Sequence, residues 1–561
     1  MDIESKPHVS LIAAVQTSQS GAKEPLESFG SSRESDKHIE GNALLIDRLG
    51  NVRKLPIPSQ DPNDPLNFRP REKWAVIFSC CWFSLVSLAL AGGLGSFLSV
   101  FFNMYMPQGY DAQHIAYLLT IPNLAIGLGN YIILPVSMAY GRRPVFLAST
   151  IILFVATIGA AVQSDYSSHL ATRTLQGLAT GASESLLPLM LTEVTFLHER
   201  GRIFGLYWMI QTISAGVFNI SASYINADLG WRWYYWVFAI LIGIGLVVAF
   251  FCGFETRFSR PATSIDGVVI FTDEFGVTQV VPDDQAQEYL GQANRQVSQD
   301  AQDEPATRTM YVQKLMPWSK PHSRPAYIIL MSWVRMAQSL TSPAILYVVL
   351  VTSITLSCVV DMSLTYDTVL QAKGWLPKDI GLINIGSIVG GILGSAYSVL
   401  LGERLVLWMA RRDHGVHKPE HRLVVLVLPA VIAVGMLITY GFTAGGKTSW
   451  WGPVLAYTFF STTWVTVLIV STTFASEANP RHPGPALVMV VGTKNIVSFG
   501  FTYGLNPMLD KGGYSYAFGV LAGVLAACFV LGIPVYYLNP KWRAYISRAG
   551  KQRGVVLTNE E

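Results

Sequence analysis

The chain has 561 residues, of which 51% are hydrophobic and 14% charged, whereas a soluble domain carries roughly 25% charged residues. That composition excludes an ordinary soluble enzyme, and a net charge of +3 offers no bulk attraction for nucleic acid. Twelve helical spans of about 20 apolar residues each fit into this length, with room for tails and a large loop.

In chain order, residues 1–73 read as a cytosolic, largely disordered tail. The stretch is rich in Ser, Lys, Glu and Gly, and it lacks the apolar core of a signal peptide. Apolar runs follow at 74–102, 115–137, 145–163, 169–192, 203–225 and 233–253, and again at 343–365, 379–401, 423–443, 450–474, 485–507 and 515–538. They are too long for barrel strands, so they predict helices, the other structure that satisfies its backbone within lipid. The fold class is therefore all-α integral membrane, with twelve transmembrane helices in two six-helix halves, 74–253 and 343–538. Between the halves, residues 254–342 form a polar cytosolic linker, expected to be a flexible tether with amphipathic segments such as Met310 to Trp318. Residues 539–561 are a second cytosolic tail.

Lys and Arg set the orientation, because they are retained on the cytosolic side. One set of flanks holds Arg69, Arg71, Lys73, Arg142, Arg143, Arg404, Arg411 and Arg412 among others, and the opposite set holds Arg232, Lys373, Lys378, Lys447 and Lys511. Both termini are thus expected in the cytosol. Trp231, Trp233, Trp236, Trp450 and Trp451 mark the outer interface. Gly141-Arg142-Arg143 after the second span is echoed by Gly402-Glu403-Arg404 after the eighth. Two such halves are the trace of an internally duplicated transporter, with its substrate site between them near the midplane.

Charges inside spans are costly and so mark candidate sites. Arg173 and Glu184 lie eleven residues apart in span 4, within about 20° of one helical face and about 16 Å apart along the axis. This predicts a proton or substrate relay in which Glu184 titrates and Arg173 tunes it, with Gln176 and Gly177 alongside; the alternative is structural ion pairing to other helices. Lys494, next to Asn495, lies near the midplane, either binding cargo or neutralising a carboxylate such as Glu184. Asp361 is placed towards the outer end of span 7, near the gate or solvated, with Asp367 just beyond. Gln211, Asn219, Asn384 and Thr462 are cavity candidates, although lone polar residues also serve interhelical hydrogen bonds. Gly386, Gly390 and Gly394 form a small-residue packing stripe, and Gly92, Gly93 and Gly95 loosen span 1.

No phosphate-cradling motif, metal constellation or catalytic triad is present in the sequence, so neither an enzyme nor a cofactor is expected, and energy must come from a gradient. Cys80, Cys81, Cys252, Cys358 and Cys528 read as apolar residues. His114, His169, His198, His322, His414, His417, His421 and His482 fall in loops or at span ends, where solvated histidine is expected.

Together the segments Asp61-Pro62-Asn63-Asp64-Pro65-Leu66-Asn67, Tyr140-Gly141-Arg142-Arg143-Pro144, Arg173-Thr174-Leu175-Gln176-Gly177 and Gly230-Trp231-Arg232-Trp233 resemble the major facilitator superfamily. The resemblance is to its fungal drug:proton antiporter branch, including relatives of the yeast histidinol and polyamine permease. It covers about residues 61–545. It implies that Gly141, Arg142 and Arg143, with Glu403 and Arg404 in the second half, lock a cytosolic gate, and that Arg173 matches an arginine linked to proton coupling. The sequence departs from the pattern at Met138, where an acidic gate residue is expected and for which Glu199 is the candidate replacement. It departs again at Ser214-Ala215-Gly216-Val217-Phe218-Asn219, which lacks the Gly-Pro motif of antiporters. The expected function is proton-coupled efflux of a drug or specialised metabolite by alternating access. The alternatives are uptake of organic cations such as polyamines and a non-transporting sensor. The expected partners are a small-molecule substrate, protons and the lipid bilayer; a monomer suffices, and the plasma membrane is the likeness's usual address.

Overall fold

The structure, a computed structural model, describes Ser59 and residues 61–258, 263–265, 268–272, 278–282, 311–412, 418–446, 448–478, 483–542 and 545. The tail expectations for residues 1–58 and beyond 545, and those for His414, His417, Lys447 and His482, lie outside the described residues.

Span 1 starts from a capped turn built by the Asp-Pro-Asn-Asp-Pro segment. Asp64 accepts from the backbone N–H of Leu66 at 3.0 Å and of Ser59 at 2.9 Å, and the Asn67 amide donates to the Ser59 and Asp61 carbonyls. The span runs Pro70–Gly92, tightens into a 3-10 stretch at Gly93–Phe97, and resumes at Leu98–Tyr105. Spans 2 and 3 are Ala112–Tyr140 and Arg142–Val162, and spans 5 and 6 are Leu197–Leu229 and Trp231–Cys252. The second half comprises span 7, Pro343–Ala372; span 8, from Pro377 to Arg412; span 9, from His421 to Gly445; and span 10, Trp451–Ala478. Span 11 begins with Pro483–Tyr503 and continues past Gly504 to Gly513, whose positive φ of 67° bends the chain into span 12.

Eleven helices among the described residues are long and apolar enough to cross a membrane, and span 4 completes twelve. It falls short as a single helix because it is interrupted: Tyr166–Thr180, a 3-10 turn at Gly181–Ser183, then Leu186–Val194. Pro188 explains the break, since it offers no N–H to the carbonyl of Glu184 and its ring crowds that carbonyl. Hydroxyls on either side of the break bond back to the preceding turn: Ser185 donates to Gly181 O at 3.0 Å and Thr180 to Gln176 O at 2.7 Å.

Each half has its own hydrophobic core, one drawn almost entirely from spans 1–6 and the other from spans 7–12. The halves meet where glycines permit close approach. A Cβ on Gly127 of span 2 would lie 2.7 Å from Ile496 of span 11, and one on Gly216 of span 5 would lie 2.5 Å from Ile388 of span 8. Gly390 and Gly394 do the same within the second half, where added Cβ atoms would lie 2.7 and 2.5 Å from the Thr458 and Thr462 carbonyls of span 10.

Three expectations are corrected here. The linker is more than a tether: it contains an antiparallel three-stranded sheet, β1 (Thr263–Ile265), β2 (Val268–Thr272) and β3 (Thr278–Pro282). Of the segment expected to be amphipathic, Tyr311–Lys314 forms a single helical turn, whereas the longer linker helix is Pro325–Ser339. That helix buries Ile328, Ser332, Met336 and Ser339 at helical spacing, and Trp333 donates to the Tyr131 carbonyl of span 2 at 2.8 Å. Finally, Gly402-Glu403-Arg404 makes no turn, because span 8 continues through a π-helical stretch at Tyr397–Gly402 into Glu403–Arg412.

Candidate functional site

The break in span 4 determines where its two charges go. Arg173, in the first segment, is fully buried and turned towards spans 1 and 2. Its Nη1 donates to Leu90 O at 2.9 Å and to Gln176 Oε1 at 3.1 Å, its Nη2 to Ala91 O at 2.7 Å, and its Nε to Leu118 O at 3.0 Å. Both sets of backbone acceptors have a physical origin. Leu90 and Ala91 lie where span 1 tightens around Gly93, and Leu118 precedes by four residues Pro122, which has no N–H to offer it. Arg173 thus satisfies carbonyls that irregular helices leave open. The structure does not bring Arg173 and Glu184 together: the interruption separates the segments that carry them, and their hydrogen-bond partners differ.

Glu184 turns instead to the other half. Lys494 Nζ lies 2.5 Å from its Oε1, and Asn495 Nδ2 donates to its Oε2 at 2.6 Å. Asn130 of span 2 adds a third donor at 3.2 Å. Glu184 is 5% exposed and Lys494 2%, so the pair is withdrawn from solvent. Each is ten or eleven residues from the basic end of its span, about 15–17 Å along the helix, near the middle of a hydrocarbon layer about 30 Å thick. The Lys494 ammonium also lies 5.9 Å from the Trp464 ring of span 10. Lys494 thus contacts Glu184, the carboxylate named for it in the sequence.

Several other cross-half ties lie away from the basic side. Asn219 donates to Asn384 at 3.3 Å, joining spans 5 and 8. Tyr224 donates to Asp379 at 3.2 Å, Asn506 to Gln113 at 2.9 Å, and the Ser99 backbone to Asp367 at 2.8 Å. The seam is closed there.

At the basic end, Gly141 has a φ of 106°, and an added Cβ would lie 2.6 Å from the Glu255 carboxylate. Arg142 donates through Nη2 and Nε to Glu193 at 2.7 and 3.0 Å, and Thr256 donates to the other Glu193 oxygen at 2.5 Å. Glu255 accepts the backbone N–H groups of Arg142 and Arg143. Arg143 grips the linker through Leu315 O and Met316 O, at 3.0 and 2.9 Å. Arg257, beside this cluster, has its pKa lowered by burial and by Arg142, with Glu255 and Glu193 opposing. The Gly-Arg-Arg turn therefore clamps the linker to the first half. The carboxylate serving Arg142 is Glu193, not Glu199, which is exposed and accepts from Phe196 N at 3.4 Å in a capping arrangement. Arg404 is exposed.

The remaining candidates divide. Gln211 donates to Ser84 inside the first half, and Thr462 donates to Thr458 O at 3.2 Å, its backbone facing Gly390 and Gly394; both serve packing. Asp361 is fully buried rather than solvated, and neither carboxyl oxygen has a hydrogen-bond partner among the described residues. His169 is likewise buried, between Tyr105 and Tyr235 at 3.2 and 2.7 Å. Sequence reasoning missed Asn130, Glu193 and Glu255. Glu193, the penultimate residue of span 4, is the detectable signal, since a carboxylate there lies on the Arg142 side of the membrane.

Two six-span halves joined across a buried polar seam define a membrane transporter of the duplicated twelve-helix type. The model of the Major Facilitator Superfamily matches residues 83–501, and the chain belongs to that family. It is 27% identical over 520 residues to the uncharacterized MFS-type transporter C1271.10c of Schizosaccharomyces pombe, covering 87% of each chain. It is 22% identical to protein HOL1 of Saccharomyces cerevisiae over 92% of this chain and 94% of that one. It is also 21% identical to the efflux pump radE of Floropilus chiversii, over 86% of this chain and 84% of the pump. Among solved structures, the human organic anion transporter MFSD10 superposes with a TM-score of 0.52 at 14% identity, over 83% of this chain and all (100%) of that one.

Proposed function

We propose that this transporter exports a small, largely apolar organic compound in exchange for protons, from the cytosol across the plasma membrane. The observation that carries the reading is the Glu184–Lys494–Asn495 cluster, a buried charge pair whose members belong to different halves. Such a pair costs several kcal/mol of desolvation per ion, about what its attraction returns, so it is poorly suited to mere stabilisation. It is well suited to switching. Protonation of Glu184 removes the attraction to Lys494 and biases the halves towards separation; loss of the proton restores the tie. Alternating access then follows from two halves rocking about the seam. Kinship with an efflux pump supports the outward direction. Cation uptake has less support, because Glu184 is neutralised by Lys494 and Asp367 is held by Ser99 N and Gln371.

The test compares metabolites inside and outside cells expressing the wild type or Glu184→Gln, with total synthesis monitored. The wild type should enrich one apolar compound outside, and Glu184→Gln, although inserted, should not. Equal export by both would overturn the assignment of Glu184, and accumulation of a supplied polyamine inside wild-type cells would overturn the direction.

A further inference from the structure

Apart from the seam, the second half holds a buried acid, Asp361, that stands out among the described residues because neither of its carboxyl oxygens has a hydrogen-bond partner. It sits eleven residues from the Ala372 end of span 7, well inside the membrane-spanning length. An ionised carboxylate without partners in such surroundings carries a desolvation cost that nothing repays, and the neutral acid is the form that can persist there.

Its surroundings give this acid a route. Span 11 presents Asn495, Ser498 and Thr502 at spacings of three and four, one helical face, all nearly buried. That face meets span 7: Ser357 Oγ reaches Ser498 O at 3.4 Å, and Asp361, one turn beyond Ser357, is faced by the Thr502 hydroxyl. Asn495 at the other end of the stripe holds Glu184. The stripe therefore leads from the seam pair to Asp361, over about 10 Å of helix rise. The other titratable groups nearby are Cys358 on span 7, Cys528 beside it from span 12, and Tyr440 of span 9, bonded to Thr365.

We propose that Asp361 is a second proton-carrying site, loaded in the conformation seen here and exchanging its proton when movement of span 11 admits water along the Asn495–Ser498–Thr502 stripe. Its place in transport rests on the proton coupling inferred above, whereas its protonation stands apart and is tested separately.

The experiment is infrared spectroscopy of the full chain in lipid vesicles, in water and in deuterium oxide, across pH. The wild type should show the carbonyl stretch of a protonated carboxylic acid at neutral pH, shifting in deuterium oxide and giving way to a carboxylate band as pH rises. Asp361→Asn should remove that band, Glu184→Gln should retain it, and Thr502→Val should shift its frequency. Asp361→Glu, which keeps the acid, should move the band without erasing it and so controls for misfolding. Identical carbonyl regions in the wild type and Asp361→Asn would overturn the proposal, as would a wild-type band unchanged in deuterium oxide and at every pH the fold tolerates. Neither result would touch the Glu184 reading, which is decided by export.

Discussion

Arg173 and Glu184 lie on the same span, are both buried, and differ in where their partners live. Arg173 is surrounded by backbone carbonyls of spans 1 and 2 and by Gln176 of its own helix, all within one half. Glu184 takes Lys494 and Asn495 from the opposite half. A charge fixed by its own half cannot sense how the halves are disposed. A charge whose partner sits across the seam senses little else. Burial alone therefore does not distinguish the two charges; the address of the partner does.

The sharpest way to break that comparison is Arg173→Leu. It orphans the Ala91 and Leu118 acceptors and leaves a cavity, together worth about 4–6 kcal/mol, so folded protein should fail to accumulate in the membrane. A stable, soluble-in-detergent Arg173→Leu transporter would show that the arginine is not structural. Lys494→Met comes next, at about 3–5 kcal/mol, because it strands the Glu184 carboxylate in a buried place. Adding Glu184→Gln should recover much of the thermal midpoint without recovering transport, and a double variant no more stable than Lys494→Met would deny the direct coupling. Gly141→Ala follows at about 1–3 kcal/mol, from backbone strain and collision with Glu255, and should show as increased protease cleavage of the linker. Smallest is the contrast between two acids: Glu193→Gln should lower the thermal midpoint by about 1–3 kcal/mol equivalent, while Glu199→Gln should stay within about 0.5. The reverse order would return the Arg142 partnership to Glu199.

Much of this was legible in the sequence. The spans, their division into halves, the basic turns and the midplane lysine all leave one-dimensional marks, in apolar length, charge asymmetry and charge within lipid. The Glu184–Lys494 pairing stood as one of two roles for Lys494, and structure was needed to choose. What misled was the assumption of an unbroken helix. With Pro188 weighed against Glu184, the shared face of Arg173 and Glu184 would not be drawn, and the likeness of Gly402-Glu403-Arg404 to the first-half motif does not reveal that span 8 runs through it. The depth of Asp361 was hidden for a different reason: how deeply a residue within a span is buried depends on the helices packed around it, and its own segment does not carry that information.

If the proposed role of Glu184 holds, its tie to Lys494 keeps the halves in the arrangement seen here. Pulsed electron resonance between spin labels at Gln108→Cys and Lys378→Cys, exposed positions in opposite halves on the closed side of the seam, measures that arrangement directly once the native cysteines are replaced. Glu184→Gln should shift population at neutral pH from the short distance towards a longer one, since losing an interaction made in one state lowers that state's share. An unchanged distance distribution would contradict the account.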